Sequence, residues 1–254
     1  MISIKSDREI DLMRQAGYMN YLTHEEIKKH IKAGVTTKEL DKVAYNFITK
    51  NNCVPSFLNY EGYPASICTS INDEVVHGIP GNTRLKDGDI ISIDVGVGYK
   101  NYQSDAARTY IVGNVSDDIK RLVETTEKSL YAGLSAIKAG AHIGDIGANI
   151  QEVAEKEGFG VIRELVGHGV GMDVHEDPDV PNFGKRNSGI TLKKGMVIAV
   201  EPMITLGKRY VYMEDDDWTI KTDDGLPAAH FEHTVLVTDT GYEILTGDKI
   251  NGEK

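Results

Sequence analysis

The sequence predicts an α+β protein with two similar halves. Helical patterns precede β-rich segments twice. Helices before residue 66 are followed by short β-rich runs over 66–112, and helices within 117–157 are followed by a second β-rich block over 161–245. Segregation of helices from strands is typical of α+β proteins. Segments of the two halves also match at nearly the same separation along the chain, which predicts an internal duplication.

The composition indicates a folded protein and excludes several classes. The chain has 254 residues, of which 40% are hydrophobic and 26% charged, so intrinsic disorder and collagen-like repeats are excluded. The net charge is −11, from 28 basic and 39 acidic residues. Nucleic-acid binding needs clustered lysine and arginine, so we expect no DNA partner.

No feature of the sequence directs it to a membrane or an oxidising compartment. The first residues are polar and include no apolar stretch of signal-peptide length. The longest apolar run, 196–200, is far shorter than the ~20 residues that span a bilayer. Cys53 and Cys68 have neither metal-binding nor redox spacing. We therefore expect a cytoplasmic protein with no membrane partner.

Four amphipathic helices are predicted from capping residues and apolar spacing. Ser6 opens the first with a capping-box pattern to Glu9, and Thr37 is predicted to cap the second. The third is expected over 117–138 and the fourth over 145–157. Three histidines on or beside these helices are expected to be exposed: His24, His30 and His142.

The internal duplication aligns acidic residues of the two halves. An Ala-Gly pair precedes a helix at 33–34 and again at 139–140, an offset of 106. The segment 85–94 matches 192–201 at an offset of 107, which pairs Asp94 with Glu201.

No linker separates the halves, which we place at 6–113 and 114–245 of one domain over 1–254.

A hairpin predicts a first pair of carboxylates. Asp94 lies on an apolar strand and Asp105 on the next strand, joined by a turn at 98–101. A turn centred between Tyr99 and Lys100 would place the two aspartates opposite each other, about 5 Å apart. Buried together, they would repel unless they shared a proton or bound a cation. The alternative is a turn displaced by one residue, with both aspartates solvated.

The second half supplies two glutamates and a histidine. Glu201 ends an apolar run, and His168 lies in the glycine-rich segment 167–171. Glu232 and His233 alternate along a strand, so only one points inward, and we predict Glu232. The duplication places Asp105 approximately on Glu232.

Four carboxylates and one imidazole would thus converge where the halves meet. Four buried negative charges need compensation, and no lysine or arginine stands at a pairing position except Arg108, which points away. Two divalent cations would balance the charges. Oxygen-rich ligation with one histidine favours Mn, Fe(II), Co or Zn. Such paired ions generate hydroxide from water.

Two further histidines precede the predicted ligand strands. His77 and His175 each begin a His-x-x-Pro sequence in a loop, where functional residues are common. Either alone is also consistent with an ordinary surface histidine. For His230 and His233 we expect structural or supporting roles.

Together these segments resemble the type I methionine aminopeptidases. The resemblance spans about residues 6–245, in the family's order and spacing, and rests on 71–80, Asp94 with Asp105, 167–171, 175–178, Glu201 with Pro202, and 231–234. It implies a pita-bread fold, in which antiparallel sheets of two αβ halves curve around a dinuclear metal site and helices lie outside.

The resemblance also implies a function and a set of roles. The enzyme would remove initiator methionine from nascent chains and peptides with a small second residue and a free, deformylated α-amino group. Hydrolysis would use a metal-bound hydroxide. The implied metal ligands are Asp94, Asp105, His168, Glu201 and Glu232, with Asp105 and Glu232 bridging. His77 and His175 would contact the substrate, and Glu201 would also shuttle a proton.

The resemblance further implies a methionine pocket. By family position it is lined by Tyr60, Tyr63, Cys68 and Trp218, and aromatic rings suit a thioether. Simple core packing is the alternative for these residues. Phe57 stands where the family usually has a small residue, and Val174 where it has a larger aromatic.

Other classes of protein fit this sequence less well. Prolidases and proline-specific aminopeptidases share the ligand set but usually carry a further N-terminal domain, whereas here the repeat begins almost at the first residue. Glu232 follows Glu201 by 31 positions, too few for the helical insertion of type II enzymes. An inactive binding module of this fold would typically lack ligands. A calcium-binding protein would need a dense acidic loop, and 214–217 is more simply a solvated turn before Trp218.

The expected partners are nascent peptide N-termini, with the ribosome as a transient contact. A small basic group supports ribosome contact: Lys185, Arg186, Lys193 and Lys194. We expect a monomer.

Overall fold

Two pairs of helices each precede a set of strands in the computed structural model, which describes residues 2–248. The helices are α1 (Asp7–Lys28), α2 (Thr37–Lys50), α3 (Asp117–Leu134) and α4 (Ile143–Lys156). Residue 1 and residues 249–254 of the predicted domain lie outside the described part. Within that part, none of the helices combines the length and the apolar character that crossing a membrane requires.

The helix starts follow capping chemistry. The predicted capping box of α1 is confirmed, with the Ser6 backbone amide donating to Glu9 Oε2 at 2.7 Å. The predicted cap of α2 is wrong by one residue, because Thr36 is the N-cap and Thr37 the first helical residue. Thr36 has a glutamate, Glu39, three residues on, so both halves of a capping box form there.

Two helix bounds also differ from the sequence prediction. α3 ends at Leu134, four residues before the predicted end, because tight turns follow in which Ile137 N donates to Leu134 O. α4 begins two residues early, at Ile143, because Asp145 lies inside the first turn and accepts the His142 backbone amide at 2.9 Å.

The strands are short apart from one long hairpin. In chain order they are β1 (Val54–Pro55), β2 (Ile67–Ile71), β3 (Glu74–Val76), β4 (Ile90–Tyr99), β5 (Tyr102–Ile111), β6 (Gly160–Val161), β7 (Gly167–Gly169), β8 (Glu176–Val180), β9 (Val197–Val200), β10 (Met203–Thr205), β11 (Val211–Met213), β12 (Ile220–Thr222), β13 (Ala228–His230), β14 (His233–Val237) and β15 (Tyr242–Ile244).

The sheets are antiparallel, and two of them carry the candidate site. In one, β4 pairs with β1, β2 and β5. In the other, the order is β15-β14-β9-β7-β8. Two smaller sheets have the orders β13-β10-β6 and β11-β12-β3. Antiparallel sheets with segregated helices confirm the α+β class.

The β4–β5 hairpin corrects the predicted register. Asp94 pairs with Ala107 and Asp105 with Gly96, so the turn lies one residue further along than predicted. Its central residues, 100–101, have φ values of 47° and 69°, as the favoured two-residue hairpin turn requires. The aspartates are therefore diagonal neighbours on one face. The displaced turn of the alternative is correct, but its solvated aspartates are not, since both are buried.

The helices pack on the outer faces of the sheets. Leu40 and Ile48 of α2 join Ile93 of β4 in one apolar cluster. Leu130 of α3 and Ile146 of α4 join strands of the second half in another. Burying side chains of this size provides the main driving force for docking the helices.

Helix α1 reaches the second half as well as the first. Ile10 and Met13 pack with Val197 of β9 and with Leu245. The helix comes so close to the chain after β15 that a Cβ on Gly17 would lie 2.2 Å from the Leu245 carbonyl oxygen. Only glycine permits this approach.

Two threonine hydroxyls join the strands of the two halves. Thr234 Oγ1 donates to Asp105 O at 2.7 Å and accepts from Asp105 N at 2.9 Å. Thr109 Oγ1 donates to His230 O and accepts from His230 N, both at 2.9 Å. Each hydroxyl satisfies both backbone groups of one residue across the junction, where no strand ladder would do so.

Candidate metal centre

Five side chains from five chain segments meet at the junction of the halves. They are Asp94 of β4, Asp105 of β5, His168 of β7, Glu201 directly after β9 and Glu232 directly before β14. The Nε2 atom of His168 lies 3.5 Å from Glu201 Oε1 and 3.8 Å from Asp105 Oδ2. The structure thus brings together every residue of the predicted ligand set.

The ligand atoms form overlapping groups that could each hold an ion. His168, Glu201 and Glu232 form one group, and Asp94, Asp105 and Glu232 another, with all ligand atoms in each group within 4.8 Å of one another. A third group joins Asp105 and His168 to His175. Asp105, His168 and Glu232 each belong to two groups, so the carboxylates of Asp105 and Glu232 each lie within reach of two candidate ion positions.

The second pair of acids is positioned by strand register. β9 and β14 pair with His233 opposite Val200, and one further step in that register places Glu232 opposite Glu201. The Glu232 backbone amide donates to Ala107 O at 2.9 Å, which ties this position to the first hairpin. Glu232, rather than His233, faces the cluster, as predicted.

The ring of His168 has the tautomer that a metal ligand needs. Its Nδ1 atom lies 2.9 Å from the Gly169 carbonyl oxygen, which can only accept, so Nδ1 carries the hydrogen. The lone pair of Nε2 therefore points to the acidic cluster. Burial lowers the pKa of His168 to about 3, so the ring is neutral at pH 7.

Burial also makes four negative charges untenable without cations. It raises the pKa of Asp94 to about 6 and of Glu201 to about 8, and it raises the pKa values of Asp105 and Glu232 well above the usual range. The charge of Glu201 adds to the effect on Asp94, while the nearby His230 ring opposes it.

No basic side chain compensates these acids. Among the ion pairs of residues 2–248, only histidines approach them. Three buried carboxylate oxygens of these acids have no hydrogen-bond partner among the described residues: Asp94 Oδ1, Asp105 Oδ1 and Glu232 Oε1. Buried charges that are neither paired nor hydrogen-bonded are expected to hold a metal. Oxygen donors with one imidazole fit Mn, Fe(II), Co or Zn.

The two His-x-x-Pro histidines stand beside this cluster. His175 Nδ1 lies 3.1 Å from the Tyr60 hydroxyl, and its ring centroid lies 4.1 Å from that of His168. His175, for which the resemblance implies a substrate contact, thus stands next to a predicted ligand. His77 has a φ of 59° and its ring stands edge-on to Trp218 at 6.5 Å. Burial lowers the pKa of His77 to about 4, so its ring is neutral at pH 7.

A cavity of about 330 Å³ opens onto the acidic cluster. Its wall includes all the predicted pocket residues: Tyr60, Tyr63, Cys68 and Trp218. The rings of Tyr63 and Trp218 meet edge to face at 5.0 Å. The Tyr63 hydroxyl is shared between the carbonyl oxygens of Ile67 and Gly78, at 3.1 and 3.0 Å. That hydrogen bonding holds one aromatic wall in place.

The two residues that depart from the family pattern belong to one apolar cluster. Phe57 and Val174 both pack with Tyr63 and Cys68. A Cβ on Gly96 would lie 2.6 Å from the Phe57 ring, so the ring rests directly on the backbone of β4. Phe57 also lines the cavity, whereas Val174 belongs to the same apolar cluster.

Some cavity residues were not predicted from the sequence. Four apolar side chains line the same cavity: Val76, Leu165, Val166 and Met203. Three of them lie within two positions of a predicted site residue, since Val76 precedes His77, Val166 lies two positions before His168, and Met203 lies two positions after Glu201. Proximity to these residues along the chain is the signal that could have identified them.

The remaining histidines divide between surface and interior. His30 is exposed, as expected, and His142 is partly exposed. The prediction for His24 is wrong, because it is fully buried between α1 and β5. His233 is buried on the side away from the acids, with Nδ1 2.9 Å from Thr246 Oγ1. His230 Nε2 lies 3.4 Å from Glu201 Oε2.

The acidic segment 214–217 forms the predicted turn before Trp218. The Asp216 carboxylate accepts from the backbone amides of Trp218 and Thr219, at 2.9 and 2.8 Å, and from the Thr219 hydroxyl at 2.6 Å. Its oxygens are therefore used within the turn.

Comparisons with known proteins agree with this geometry. The chain matches the model of metallopeptidase family M24 over residues 11–239. Methionine aminopeptidase 1 of Bacillus subtilis (strain 168) is 55% identical to it, over 97% of this chain and 99% of that protein. The crystal structure of methionine aminopeptidase from Rickettsia prowazekii has a TM-score of 0.96 and 43% identity, covering 97% of this chain and 100% of that one.

A more distant structure shares the fold but is longer. The Xaa-Pro dipeptidase from Bacillus anthracis is 25% identical, with a TM-score of 0.76, and the match covers 97% of this chain but 62% of that chain. Together these matches confirm the pita-bread architecture. The chain therefore belongs to metallopeptidase family M24 and, within it, to the methionine aminopeptidases.

Proposed function

We propose that this chain, acting as one catalytic domain, removes N-terminal methionine from peptides and nascent polypeptides with a small second residue. The observation that carries the proposal is the cavity, in which an apolar pocket opens directly onto the acidic cluster. An unbranched thioether suits a pocket walled by Tyr63 and Trp218. Relatives named for this activity support the same conclusion.

The proposed metal ligands are Asp94, Asp105, His168, Glu201 and Glu232. They would hold two divalent ions, with Asp105 and Glu232 bridging, which agrees with the membership of these two residues in overlapping groups. Bound divalent cations would supply Lewis-acid chemistry, lowering the pKa of water and polarising a peptide carbonyl. Co, Mn, Fe(II) and Zn all suit this donor set.

Three side chains of the site are proposed to act on the substrate. Glu201, at the cavity wall, would take a proton from the attacking water and return it to the leaving amine. His175, held by the Tyr60 hydroxyl, would donate to the developing oxyanion. His77 would hydrogen-bond the backbone nitrogen of the second residue, in keeping with its neutral ring.

The acidic end of the cavity would restrict cleavage to the N-terminal residue of a chain. A free α-amino group could ligate a metal held by these carboxylates, whereas a formylated or internal nitrogen lacks the basic lone pair that ligation needs. We therefore expect action only on deformylated chains.

The test uses protein stripped of metal and reloaded with Mn²⁺ or Co²⁺. We expect hydrolysis of Met-Ala-Ser, little hydrolysis of its N-formylated form, and none of Ala-Pro-Ala. Cleavage of Ala-Pro-Ala alone would favour a prolidase-like activity. Hydrolysis that persists in the stripped protein would contradict the metal-dependent mechanism.

Cellular partners follow from the proposed substrate. Nascent chains would be met in the cytoplasm by a monomeric enzyme that contacts the ribosome transiently. Two members of the basic group are already paired, Arg186 with Glu152 at 2.7 Å and Lys194 with Asp239 at 2.5 Å. Within residues 2–248 neither Lys185 nor Lys193 forms an ion pair, so these two offer the unshared charge. Replacing both with glutamate should reduce co-sedimentation with ribosomes.

A further inference from the structure

One face of α1 donates hydrogen bonds to both aspartate-bearing strands. Asn20 and His24 stand one helical turn apart, and neither has any exposed surface. The side-chain amide of Asn20 donates to the Val95 carbonyl oxygen. His24 Nε2 lies 2.9 Å from the Ala106 carbonyl oxygen. Residues four apart on a helix share a face, so one helix supplies both donors.

The two residues that accept these hydrogen bonds lie opposite each other in the β4–β5 hairpin. Val95 directly follows Asp94, Ala106 directly follows Asp105, and Val95 pairs with Ala106 across β4 and β5. Side chains alternate along a strand, so the two aspartates project away from the face on which α1 packs. The two donors of α1 thus hydrogen-bond to the strand backbone at the residues that directly follow the two aspartates.

The hydrogen-bond partners of His24 determine the tautomer of its ring. A carbonyl oxygen only accepts, so Nε2 carries the hydrogen. Nδ1 then accepts from the Tyr110 hydroxyl at 3.2 Å. His24 therefore stays neutral and fixed in one tautomer between β5 and its own helix.

Packing alone does not account for these polar residues. The Oδ1 atom of Asn20 is buried without a hydrogen-bond partner among the described residues, which is unfavourable. An apolar side chain at position 20 would fill the same space without that cost to stability. The hydrogen bonds that these side chains donate to the backbone of β4 and β5 explain why polar residues stand there.

We propose that Asn20 and His24 are positioning residues for the metal centre, fixing the spacing and twist of β4 and β5 at the step that presents Asp94 and Asp105. This inference rests on the metal ligation proposed above. Ligand carboxylates mounted on a looser hairpin would bind ions less tightly, since supporting hydrogen bonds set ligand orientation.

The experiment measures Mn²⁺ binding to metal-free protein by titration calorimetry, with folding checked by circular dichroism. His24→Met and Asn20→Leu remove the donors while keeping side-chain size. We expect each to weaken Mn²⁺ binding by about tenfold or more. His24→Gln retains an amide donor and should recover most of the affinity.

Thr23→Val is the matched control. Thr23 is also fully buried on α1, but its hydroxyl donates to Met19 O within the same helix, at 2.8 Å. Its Mn²⁺ affinity should stay within twofold of wild type, even where its thermal stability falls. The visible spectrum of the Co²⁺-loaded protein gives a second readout, expected to change in His24→Met and not in Thr23→Val.

The outcomes separate the two proposals. If wild-type protein binds no Mn²⁺, the metal centre itself is overturned, and this inference with it. If wild type binds Mn²⁺ and both donor-removing variants bind it equally well, the positioning role alone is overturned. Should His24→Met fail to fold, Asn20→Leu and its comparison with Thr23→Val decide the question.

Discussion

The two halves of the molecule present their acids in different ways on similar strands. In the first half, Asp94 and Asp105 lie diagonally across β4 and β5. In the second half, the register of β9 and β14 places Glu201 and Glu232 opposite each other. The two strand pairs thus have equivalent registers, since Asp94 lies opposite Ala107 as Glu201 lies opposite Glu232, and only the position of the second acid along its strand differs.

The threonine junction shows which positions correspond. Thr234 binds both backbone groups of Asp105, and Thr109 binds those of His230. Both pairs are related by one offset of 125, so the counterpart of Asp105 is His230, and the counterpart of Glu232 is Ala107. The predicted correspondence of Asp105 with Glu232 was approximate, and the two acids lie two positions apart in this alignment. It still identified the correct face, since positions two apart on a strand share one.

The largest expected effect is a difference in kcat between variants of the equivalent acids Asp94 and Glu201. Glu201→Gln should lower kcat by about 10²–10⁴-fold at saturating Mn²⁺, because it removes the proposed proton carrier. Asp94→Asn should chiefly weaken metal binding and keep more of kcat once metal saturates. Steady-state hydrolysis of Met-Ala-Ser, with bound metal quantified, measures both. Equal losses of kcat at full metal occupancy would contradict separate roles.

The same two acids should differ in the pH dependence of metal-free stability. Burial raises the pKa of Glu201 to about 8 but that of Asp94 only to about 6. A carboxyl with a raised pKa stabilises the fold while protonated, and this contribution is lost as the pH rises through the folded-state pKa. Metal-free stability should therefore fall between pH 6.5 and 8.

The lower limit of that window is set by the buried histidines. Their lowered pKa values, about 3 for His168 and about 4 for His230, add stability as the pH rises towards 6.5, which opposes the carboxyl effect at lower pH. Urea unfolding across pH 6.5–8 should show a smaller slope in Glu201→Gln than in Asp94→Asn. Bound Mn²⁺ should remove the slope, since it holds the carboxylates ionised. Stability that rises with pH in the metal-free wild type would contradict the assignment.

The threonine junction offers a matched pair of substitutions. Thr234→Val and Thr109→Val each leave a buried backbone amide without its partner, and each should lower the free energy of unfolding by about 1–3 kcal/mol. Only Thr234→Val disturbs a proposed ligand, Asp105, and it alone should also weaken Mn²⁺ binding. Urea unfolding and Mn²⁺ titration of both variants test this. Equal Mn²⁺ affinities would show that the junction acts on stability alone.

The smallest expected effect concerns the pocket, to which each half contributes a wall. Phe57→Cys should enlarge the cavity and Val174→Phe should narrow it, each raising KM for Met-Ala-Ser by up to about tenfold. Because Phe57 and Val174 belong to one packed cluster, the double variant should restore much of the affinity. Effects on KM that simply add in the double variant would show that Phe57 and Val174 act independently.

Several features of the site were predictable because they depend on local sequence. Acids that end or interrupt apolar runs, such as Glu201 and Asp94, identify buried carboxylates without knowledge of their partners. The alternation of Glu232 with His233 correctly selected the inward side chain. The capping box at Ser6 was equally local. Each of these depends on residues a few positions apart.

The sequence determined which groups would be buried and which charges would need a cation, because residue type and strand periodicity set the cost of removing a carboxylate from water. Only the tertiary structure decided how those groups meet. The hairpin register, the burial of His24 and the Thr234 bonds to Asp105 join residues as many as 129 positions apart. Such contacts form only once distant segments pack, so their geometry depends on the whole fold rather than on any local pattern.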